Sequence, residues 1–453
     1  MVYSFSGYKP HYKRLIELGV PVILGQLAMV LLSFFDTMMV GHYSTVELAA
    51  ASFITSISNF PLFIIQGMAL GFIPIAGDLF GKDEHLKIGK YLKNSIVSNG
   101  LALAMALVLM LVFYLCLDKM GQPNEIMPYA RPYLVLQWIS LPFVSVFYLF
   151  KNFTDSITQI KISMHIIIGG VILNIILNYL LIYGVWVFPE MGLFGAGLAT
   201  LISRVFMAVI YIILLIYKKN WRIYKEGFLK GEFYKKYIKE LFDMGWPMVI
   251  QMCLEIFSFI IVGIFAGWIG TISLATNQIL NTFSMLLFMI YSGLGNAISI
   301  RVSNLKGRYE YSRVRSTVYA GTHLMLVLLV FNLGLSYLLR YSLGPIFSDN
   351  PEIIALVPSL ILPIMLYQIG DSMQVIYLYA LRGLGDTKPI AFIALICYMG
   401  LSIPISYFLG IHLGYGLFGL WMAFPISLLI AAISYSSRFF YDLRKLARDK
   451  CSR

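Results

Sequence analysis

The sequence predicts an all-α membrane protein in which twelve transmembrane helices form two six-helix bundles. Three observations lead to this fold class. Apolar stretches of about 20 residues, the length that crosses a bilayer, recur along the whole chain of 453 residues. The basic residues concentrate in alternate connections between these stretches, and the second half of the sequence repeats the first. The composition agrees, because 59% of the residues are hydrophobic and 12% are charged, roughly half the charged fraction of a soluble domain.

Twelve spans are predicted from the apolar stretches, roughly at residues 15–40, 48–76, 94–117, 133–150, 162–184, 193–217, 241–267, 274–300, 317–339, 357–380, 389–410 and 416–437. The first stretch is long enough to span, and no small-residue cleavage site follows it, so we expect no cleaved signal peptide. The protein is therefore expected to be a multi-pass protein of the cell inner membrane.

The basic residues predict the orientation of these spans. Of the 34 Lys and Arg residues, 30 lie in the N-terminus, the even-numbered connections and the C-terminus, whereas three lie in the odd-numbered connections. Cytoplasmic loops of membrane proteins carry such an excess, so both termini are predicted to be cytoplasmic. The net charge of +12 then faces anionic membrane lipid, and we expect no nucleic-acid partner.

The second half of the chain matches the first, without a gap, at an offset of 226 residues. The matched pairs include Gly19 with Gly245, Pro21 with Pro247, Gly41 with Gly267, and Gly67 with Gly293. We expect an N-terminal bundle at 1–217, a basic cytoplasmic linker at 218–240, and a C-terminal bundle at 241–453. Because each repeat has an even number of spans, both halves share one orientation, which implies a pseudo-twofold axis along the membrane normal. The linker is predicted to be an amphipathic helix on the inner leaflet.

Of the 22 acidic residues, 19 lie in connections or near span ends, and three lie well inside predicted spans, namely Asp36, Glu255 and Asp371. A charged side chain at the bilayer centre costs about 2.5–3.5 kcal/mol on insertion scales, so each of these acids is a functional candidate. Arg204 is the only basic residue inside a predicted span. Buried carboxylates without a fixed basic partner prefer to be neutral or to hold a cation, so each acid can bind H⁺, Na⁺ or an organic cation.

Polar residues share the estimated depth of the first acid. At about 1.5 Å per residue, Asp36, Asn178 and Thr200 lie about 8–10 Å from the outer ends of their spans, so they can meet. Asn174 and Asn178 are four residues apart and share one helix face, either for interhelical hydrogen bonding or for binding a ligand.

Glu255 and Asp371 lie deeper, about 18–21 Å from the outer ends of their spans, so they can meet in the second bundle. Tyr367 precedes Asp371 by one helical turn. Two carboxylates that face one cavity repel each other, and a Na⁺ ion between them would relieve this repulsion. Gln278 belongs to a group of polar residues at the start of span 8 that is unusual for lipid contact, and we assign it to the lining of the site.

Several stretches resemble one family of transporters. The first span and the turn after it read GVPVILGQLAMVLLSFFDTMMVGHYSTVELAA, span 7 contains GWPMVIQMCLEIFSF, and span 10 contains YQIGDSMQ, with RGLGDTKP after it. Over essentially the whole chain, this pattern is similar to the multidrug and toxic compound extrusion (MATE) family, NorM-like branch. The resemblance implies a V-shaped pair of bundles and efflux of cationic, often aromatic drugs in exchange for Na⁺ or H⁺.

The resemblance also implies roles for single residues. It matches Asp36, Glu255 and Asp371 to the family's acids in spans 1, 7 and 10, places Tyr367 near the cation site, and places Asn174, Asn178 and Thr200 around Asp36. The other main branch of the family has a further acid in span 5. This chain has asparagines there, which favours the NorM-like branch.

A flippase, a channel and a membrane enzyme each fit the sequence less well than a cation-coupled transporter. A flippase for lipid-linked oligosaccharides needs a basic cavity for its anionic pyrophosphate, whereas three acids and one arginine lie in the predicted spans. A channel needs a filter loop or a charged ring, and an enzyme needs a metal or nucleophile constellation, neither of which is evident. We therefore expect a non-enzymatic, monomeric antiporter of small organic cations that confers antibiotic resistance and needs no cofactor beyond its coupling ion. The sequence leaves Na⁺ and H⁺ open as that ion.

Overall fold

The computed structural model describes residues 5–451, and within them the side chains of residues 7–449. This part of the chain is helical, without a strand, which confirms the all-α prediction. Its α-helices are α1 (Phe5–Tyr43), α2 (Thr45–Leu70), α3 (Phe72–Gly81), α4 (His85–Cys116), α5 (Met127–Ser156), α6 (Ile160–Ile182), α7 (Gly192–Tyr217), α8 (Arg222–Lys230), α9 (Lys235–Ile269), α10 (Thr271–Gly307), α11 (Tyr311–Leu339), α12 (Leu343–Phe347), α13 (Pro351–Ser359), α14 (Ile361–Leu384), α15 (Lys388–Ala394), α16 (Ile403–Ser406) and α17 (Gly416–Cys451). Two π-helical stretches, Leu395–Ser402 and Tyr407–His412, alternate with α15 and α16.

Within the described residues, 11 helical segments are long and apolar enough to cross a membrane, with α2 and α3 counted as one. The helices α13 and α14 pass the same test together, although they are bent by 47° at a short break. Pro363 explains the break, because its nitrogen carries no hydrogen for the carbonyl of Ser359, four residues earlier. Counting this bent pair as one span gives the twelve spans that the sequence predicts.

The described residues divide into two compact units. The N-unit is Leu24–Val249, and the C-unit combines the described residues of Met1–Ile23 with those of Ile250–Arg453. Helices α1 and α9 therefore each begin in one unit and continue in the other. The two crossing points, Leu24 and Ile250, are separated by the 226-residue offset of the sequence repeat. The division into 1–217, 218–240 and 241–453 stays a prediction about folding units.

Close helix packing within each unit follows the same repeat. The contacts pair Gly19 with Leu294 and Ala297 in the C-unit, and Gly245 with Met68 and Gly71 in the N-unit. Subtracting the offset of 226 from Leu294 and Ala297 gives Met68 and Gly71, so the two contacts are equivalent. The second contact needs a glycine, because a Cβ atom on Gly245 would lie 2.7 Å from the carbonyl oxygen of Met68, whereas a Cβ atom on Gly19 would lie at an ordinary contact distance of 3.6 Å from Ala297. The duplication is therefore preserved in the packing as well as in the sequence.

The linker packs against α4 inside the N-unit. A Cβ atom on Gly227 of α8 would lie 2.1 Å from the carbonyl oxygen of Leu86, so the two backbones are in direct contact. Asn94 of α4 donates a hydrogen bond to the carbonyl of Glu232 at 2.9 Å and accepts one from the N–H of Tyr234 at 2.8 Å. The predicted contact with the inner leaflet is therefore supplemented by a fixed attachment to α4.

Candidate functional site

A chain of side-chain hydrogen bonds connects three helices of the N-unit around Asp36. Asn178 of α6 donates from Nδ2 to Oδ1 of Asp36 on α1, and to Oδ1 of Asn174 at 3.0 Å. Asn174 donates to the hydroxyl of Thr200 on α7 at 3.4 Å. Both asparagines are fully buried, and Thr200 is nearly so. The structure thus brings together all four residues predicted for the first bundle, which we call the Asp36 cluster.

The Asp36 cluster presents oxygen atoms that fit a small cation. Oδ1 of Asn178 is buried and lacks a hydrogen-bond partner among the described residues. Carboxylate, amide and hydroxyl oxygens, which this cluster combines, are the ligands that hard cations prefer. The same atoms also form the interhelical hydrogen bonds that the sequence left as the other interpretation, so the geometry accommodates both roles.

Arg204 lies one helical turn beyond Thr200 on α7. Its Nη1 donates to Oε1 of Gln137 at 2.8 Å and to the hydroxyl of Ser140, both on α5. Its positive charge acts electrostatically on Asp36. The hydrogen bonds of this guanidinium are therefore directed to α5, and among the described residues its two partners, Gln137 and Ser140, are not the one that donates to Asp36.

An apolar cleft of about 740 Å³ lies beside the Asp36 cluster, between α1 and α6. Its walls are Phe35, Met38, Met39, Ile175, Ile176, Tyr179, Leu180 and Tyr183. Phe35 and Tyr179 are the direct sequence neighbours of Asp36 and Asn178. Aromatic faces attract cations, and methionine side chains adapt to varied shapes. The cleft therefore offers an aromatic and flexible apolar surface on the same two helices that carry Asp36 and Asn178.

In the C-unit, neutral side chains connect Asp371 to Glu255. Gln374 of α14 donates from Nε2 to Oδ1 of Asp371 and to the hydroxyl of Tyr398, each at 3.1 Å. The Tyr398 hydroxyl also reaches the carboxylate of Glu255, and the two carboxylates act electrostatically on each other. Oδ2 of Asp371 is buried and has no hydrogen-bond partner within the described residues. This oxygen is therefore available to a proton or to a metal cation such as Na⁺.

A second glutamine connects Glu255 to a buried arginine. Gln251 donates from Nε2 to Oε2 of Glu255 at 2.7 Å, and its Oε1 accepts from Nη2 of Arg382 at 2.6 Å. The sequence prediction assigned Arg382 to a cytoplasmic connection and considered the acids of the second bundle to lack a basic partner. That prediction was wrong, because α14 continues to Leu384 and Arg382 is only 5% exposed. We call Gln251, Glu255, Asp371, Gln374, Arg382 and Tyr398 the Glu255 cluster.

Tyr367 lies one turn before Asp371 on α14, as predicted. Its ring packs edge-on against Phe259, Trp421 and Phe424, with centroids 5.9–6.2 Å apart. Both acids of the Glu255 cluster act electrostatically on its hydroxyl. Tyr367 is thus an aromatic wall beside the carboxylates.

Gln278 is the predicted lining residue that the structure does not bring to either cluster. Its side chain is exposed, and the hydrogen bonds of the described residues connect it with neither cluster. The neighbouring Asn277 is buried and accepts a hydrogen bond from Nε1 of Trp421 at 3.0 Å. Successive helical residues point about 100° apart, so only one of these two polar side chains can face the core.

The sequence interpretation missed four members of the Glu255 cluster. Two of them had a usable signal, because Gln251 precedes Glu255 by four residues and Gln374 follows Asp371 by three, the spacings that place side chains on one helix face. Tyr398 lies in a π-helical stretch, where these spacings no longer apply. Such stretches are frequent at functional sites but are not recognisable from periodicity.

Comparison with known proteins gives the family. The MatE family model matches residues 21–180 and matches again over residues 247–408. The chain belongs to the MatE family. The two matches begin 226 residues apart, so the MatE repeat and the internal repeat of this chain are the same.

Relatives and solved structures of the family match almost the full chain. "Probable multidrug resistance protein NorM" of Mannheimia succiniciproducens is 31% identical over 451 residues, which are 98% of this chain and 95% of that protein. "Multidrug resistance protein NorM" of Photobacterium profundum is 28% identical over 95% of both chains. The crystal structure of the eukaryotic MATE transporter AtDTX14 superimposes with a TM-score of 0.88 at 19% identity, over 98% of this chain and 99% of that one. An outward-facing MATE family transporter of the MOP superfamily also gives 0.88, at 16% identity over 97% of both chains. This structural likeness confirms the predicted MATE fold of two helical bundles.

Proposed function

We propose that this MatE-family chain is a multidrug efflux transporter of the cell inner membrane, and that it exchanges organic cations for Na⁺ or H⁺ by alternating access. The observation that carries the proposal is the presence of a separate buried acidic cluster in each compact unit. In each cluster neutral side chains bond the carboxylates, and the Glu255 cluster also contains Arg382. We further propose that the chain acts as a monomer, because each unit contains its own cluster. The distribution of basic residues supports the proposal that both termini lie in the cytoplasm.

The chemistry of the clusters supports exchange. A carboxylate inside a membrane is costly unless a proton, a metal cation or an organic cation compensates its charge. A drug and a coupling ion that both stabilise such carboxylates can be transported in opposite directions. Each need only prefer a different arrangement of the protein, because a ligand shifts a conformational equilibrium through its differential affinity for the two states.

The apolar cleft supports organic cations as the substrate class. Aromatic and methionine side chains from α1 and α6 supply contact area. We propose that Asp36, on the same helix α1, supplies the compensating charge. We assign Asp36, with Asn174, Asn178 and Thr200, to substrate and ion coupling in the N-unit. We assign Glu255 and Asp371, with Tyr367 beside them, to the coupling cation in the C-unit.

A flippase for lipid-linked oligosaccharides is the alternative transport function, and the geometry disfavours it. An anionic pyrophosphate needs free guanidinium or ammonium donors. Arg204 donates to Gln137 and Ser140, and Arg382 donates to Gln251, so each of these guanidinium groups is already held by a neutral side chain, and the two acidic clusters contain three carboxylates. The relatives named NorM also favour drug efflux over this alternative.

The proposal is tested with purified protein in proteoliposomes loaded with ethidium. Ethidium movement is followed by fluorescence while either a Na⁺ gradient or a pH gradient is imposed. We expect one of the two gradients to drive transport against the ethidium gradient. Asp349→Asn, at an exposed acid, is the matched control and should transport normally. Ethidium movement that neither gradient alters would contradict cation-coupled exchange.

A further inference from the structure

Arg382 is a buried cation whose hydrogen-bonded partner is neutral. Its guanidinium lies 4.4 Å from the ring centroid of Tyr379 and donates to Gln251, while its Nε has no hydrogen-bond partner among the described residues. No carboxylate of the described residues forms an ion pair with it within 4.0 Å. A buried charge is expensive unless an opposite charge compensates it. The carboxylate that Gln251 also holds, Glu255, is therefore the charge that compensates Arg382.

Capping of the helix end does not account for this arginine. The last carbonyls of α14 already have partners, since Lys306 donates to the carbonyl of Leu384 at 2.6 Å. The N–H of Gly385 bonds the carbonyl of Arg382 at 2.9 Å, and the N–H of Asp386 bonds that of Leu381 at 3.2 Å. The guanidinium is thus free to turn inward toward Gln251, where its charge can act on the acids.

The charges of the Glu255 cluster can then be counted. The cluster contains two carboxylates, Glu255 and Asp371, and one permanent cation, because arginine is effectively always protonated. We infer that Arg382, positioned by Gln251, is the resident counter-cation of Glu255, and that the cluster therefore takes up one monovalent positive charge rather than two. The atom that receives this charge is the unpartnered Oδ2 of Asp371. This inference rests on the proposed function only in naming Na⁺ or H⁺ as the charge.

Arg204 provides a useful contrast. It lies in the other unit and donates to Gln137 and Ser140, and neither of these residues bonds Asp36. Gln251 by contrast bonds an arginine and an acid at the same time. A glutamine that links an arginine to an acid is thus found in the Glu255 cluster and not around Arg204. Gln251 and Arg382 are positioning residues that act through Glu255.

The test counts charges bound by the purified full-length chain in the Asp36→Asn background, where the other acid cannot contribute. One measurement is ²²Na⁺ bound per chain at saturation at pH 8.5. The other is the number of protons taken up between pH 8.5 and 5.5, relative to a variant that also carries Glu255→Gln and Asp371→Asn. We expect one charge per chain in the background protein, whichever ion supplies it.

Substitutions should change this count in whole steps. Arg382→Gln should raise it to two, because Glu255 then loses its counter-cation. Glu255→Gln should lower it to zero, because the charge of Arg382 then balances Asp371 within the same cluster, and the two substitutions together should restore it to one. Arg301→Gln, at a half-buried arginine of the same unit whose charged neighbours lie elsewhere, is the control and should leave the count at one. A structural role for Arg382 would lower folding yield without changing the count of the folded fraction.

Several outcomes would overturn the inference. The inference is overturned if the Arg382→Gln protein still takes up one charge. It is also overturned if the Glu255→Gln protein takes up one charge. If Arg382→Gln does not fold, the Glu255→Gln protein decides the question, because it takes up no charge if Arg382 balances the acids and one charge if it does not. Loss of gradient-driven ethidium transport by the parent protein would instead contradict the proposed function and leave the charge counts interpretable.

Discussion

Asp36→Asn should separate folding from transport. The amide at position 36 keeps an Oδ1 that can accept the hydrogen bond from Asn178, so the connections among α1, α6 and α7 persist. That bond changes from charge-assisted to neutral, a loss of about 1 kcal/mol, and removal of a membrane-buried charge offsets part of it. We therefore expect the free energy of unfolding to change by about 1 kcal/mol or less. Expression and thermal stability should be close to those of the unmodified protein.

Cation binding should respond much more strongly. A cation about 4 Å from the carboxylate gains about 4 kcal/mol at an effective dielectric constant of 20. Because about 1.4 kcal/mol corresponds to a factor of ten, losing this term should weaken ethidium affinity about 1000-fold and abolish most efflux.

Ethidium binding and vesicle efflux measure these two effects directly. Thr200→Val is the matched control, because it removes only the neutral hydroxyl contacts with Asn174 and Asp36 and keeps the carboxylate. It should change affinity by less than about tenfold, since a neutral hydrogen bond contributes about 0.5–1.5 kcal/mol. Normal efflux by a well-expressed Asp36→Asn protein would show that the N-unit has no ionic role and would refute the assignment.

Three further predictions concern coupling, topology and packing. Glu255→Gln and Asp371→Asn should each abolish ion-coupled efflux, and the double variant should transport little worse than either single variant. Modest losses that add up in the double variant would show that the two acids do not share a site. Tags at both termini and accessible cysteines in 218–240 should report the cytoplasmic side, and labelling of the linker from outside would contradict the predicted topology. Gly227→Leu should lower the melting temperature through overpacking of about 1–3 kcal/mol, because its Cβ would lie 2.1 Å from a backbone oxygen of α4.

The sequence predicted the spans and the Asp36 cluster for the same physical reason. Hydropathy gives the ends of each span, and the fixed rise of a helix converts distance from an end into depth. Asp36, Asn178 and Thr200 had nearly equal estimated depths, and the structure joins them through Asn174. Depth and helical face were sufficient there because every partner lies on a regular α-helix.

The same reasoning was insufficient for the Glu255 cluster. The span predicted from hydropathy ends before Arg382, because hydropathy treats every charged residue as exposed, even one that the fold buries. Tyr398 lies on a π-helical stretch, so its direction could not be calculated from helical periodicity. Gln278 was preferred over the adjacent Asn277 with no information on which of the two faces the core. Each error concerns the direction of a side chain, which the packing of neighbouring helices determines.

The two acidic clusters differ in how they relate to the helices shared by the units. Gln251 is the second residue of α9 after its crossing point at Ile250, and it holds both Glu255 and Arg382 of α14. By our inference, Arg382 balances Glu255 through Gln251, and an incoming cation binds Asp371 of the same cluster, so it enters a group of side chains that also fixes α9 near the crossing point. Asp36 lies well beyond the corresponding crossing point of α1 and is held by α6 instead. Under the proposed function, ion binding in the C-unit would act close to the crossing point of α9, whereas drug binding near Asp36 would act on α6. This asymmetry favours a division in which the coupling ion controls the conformational step and the drug is held near Asp36.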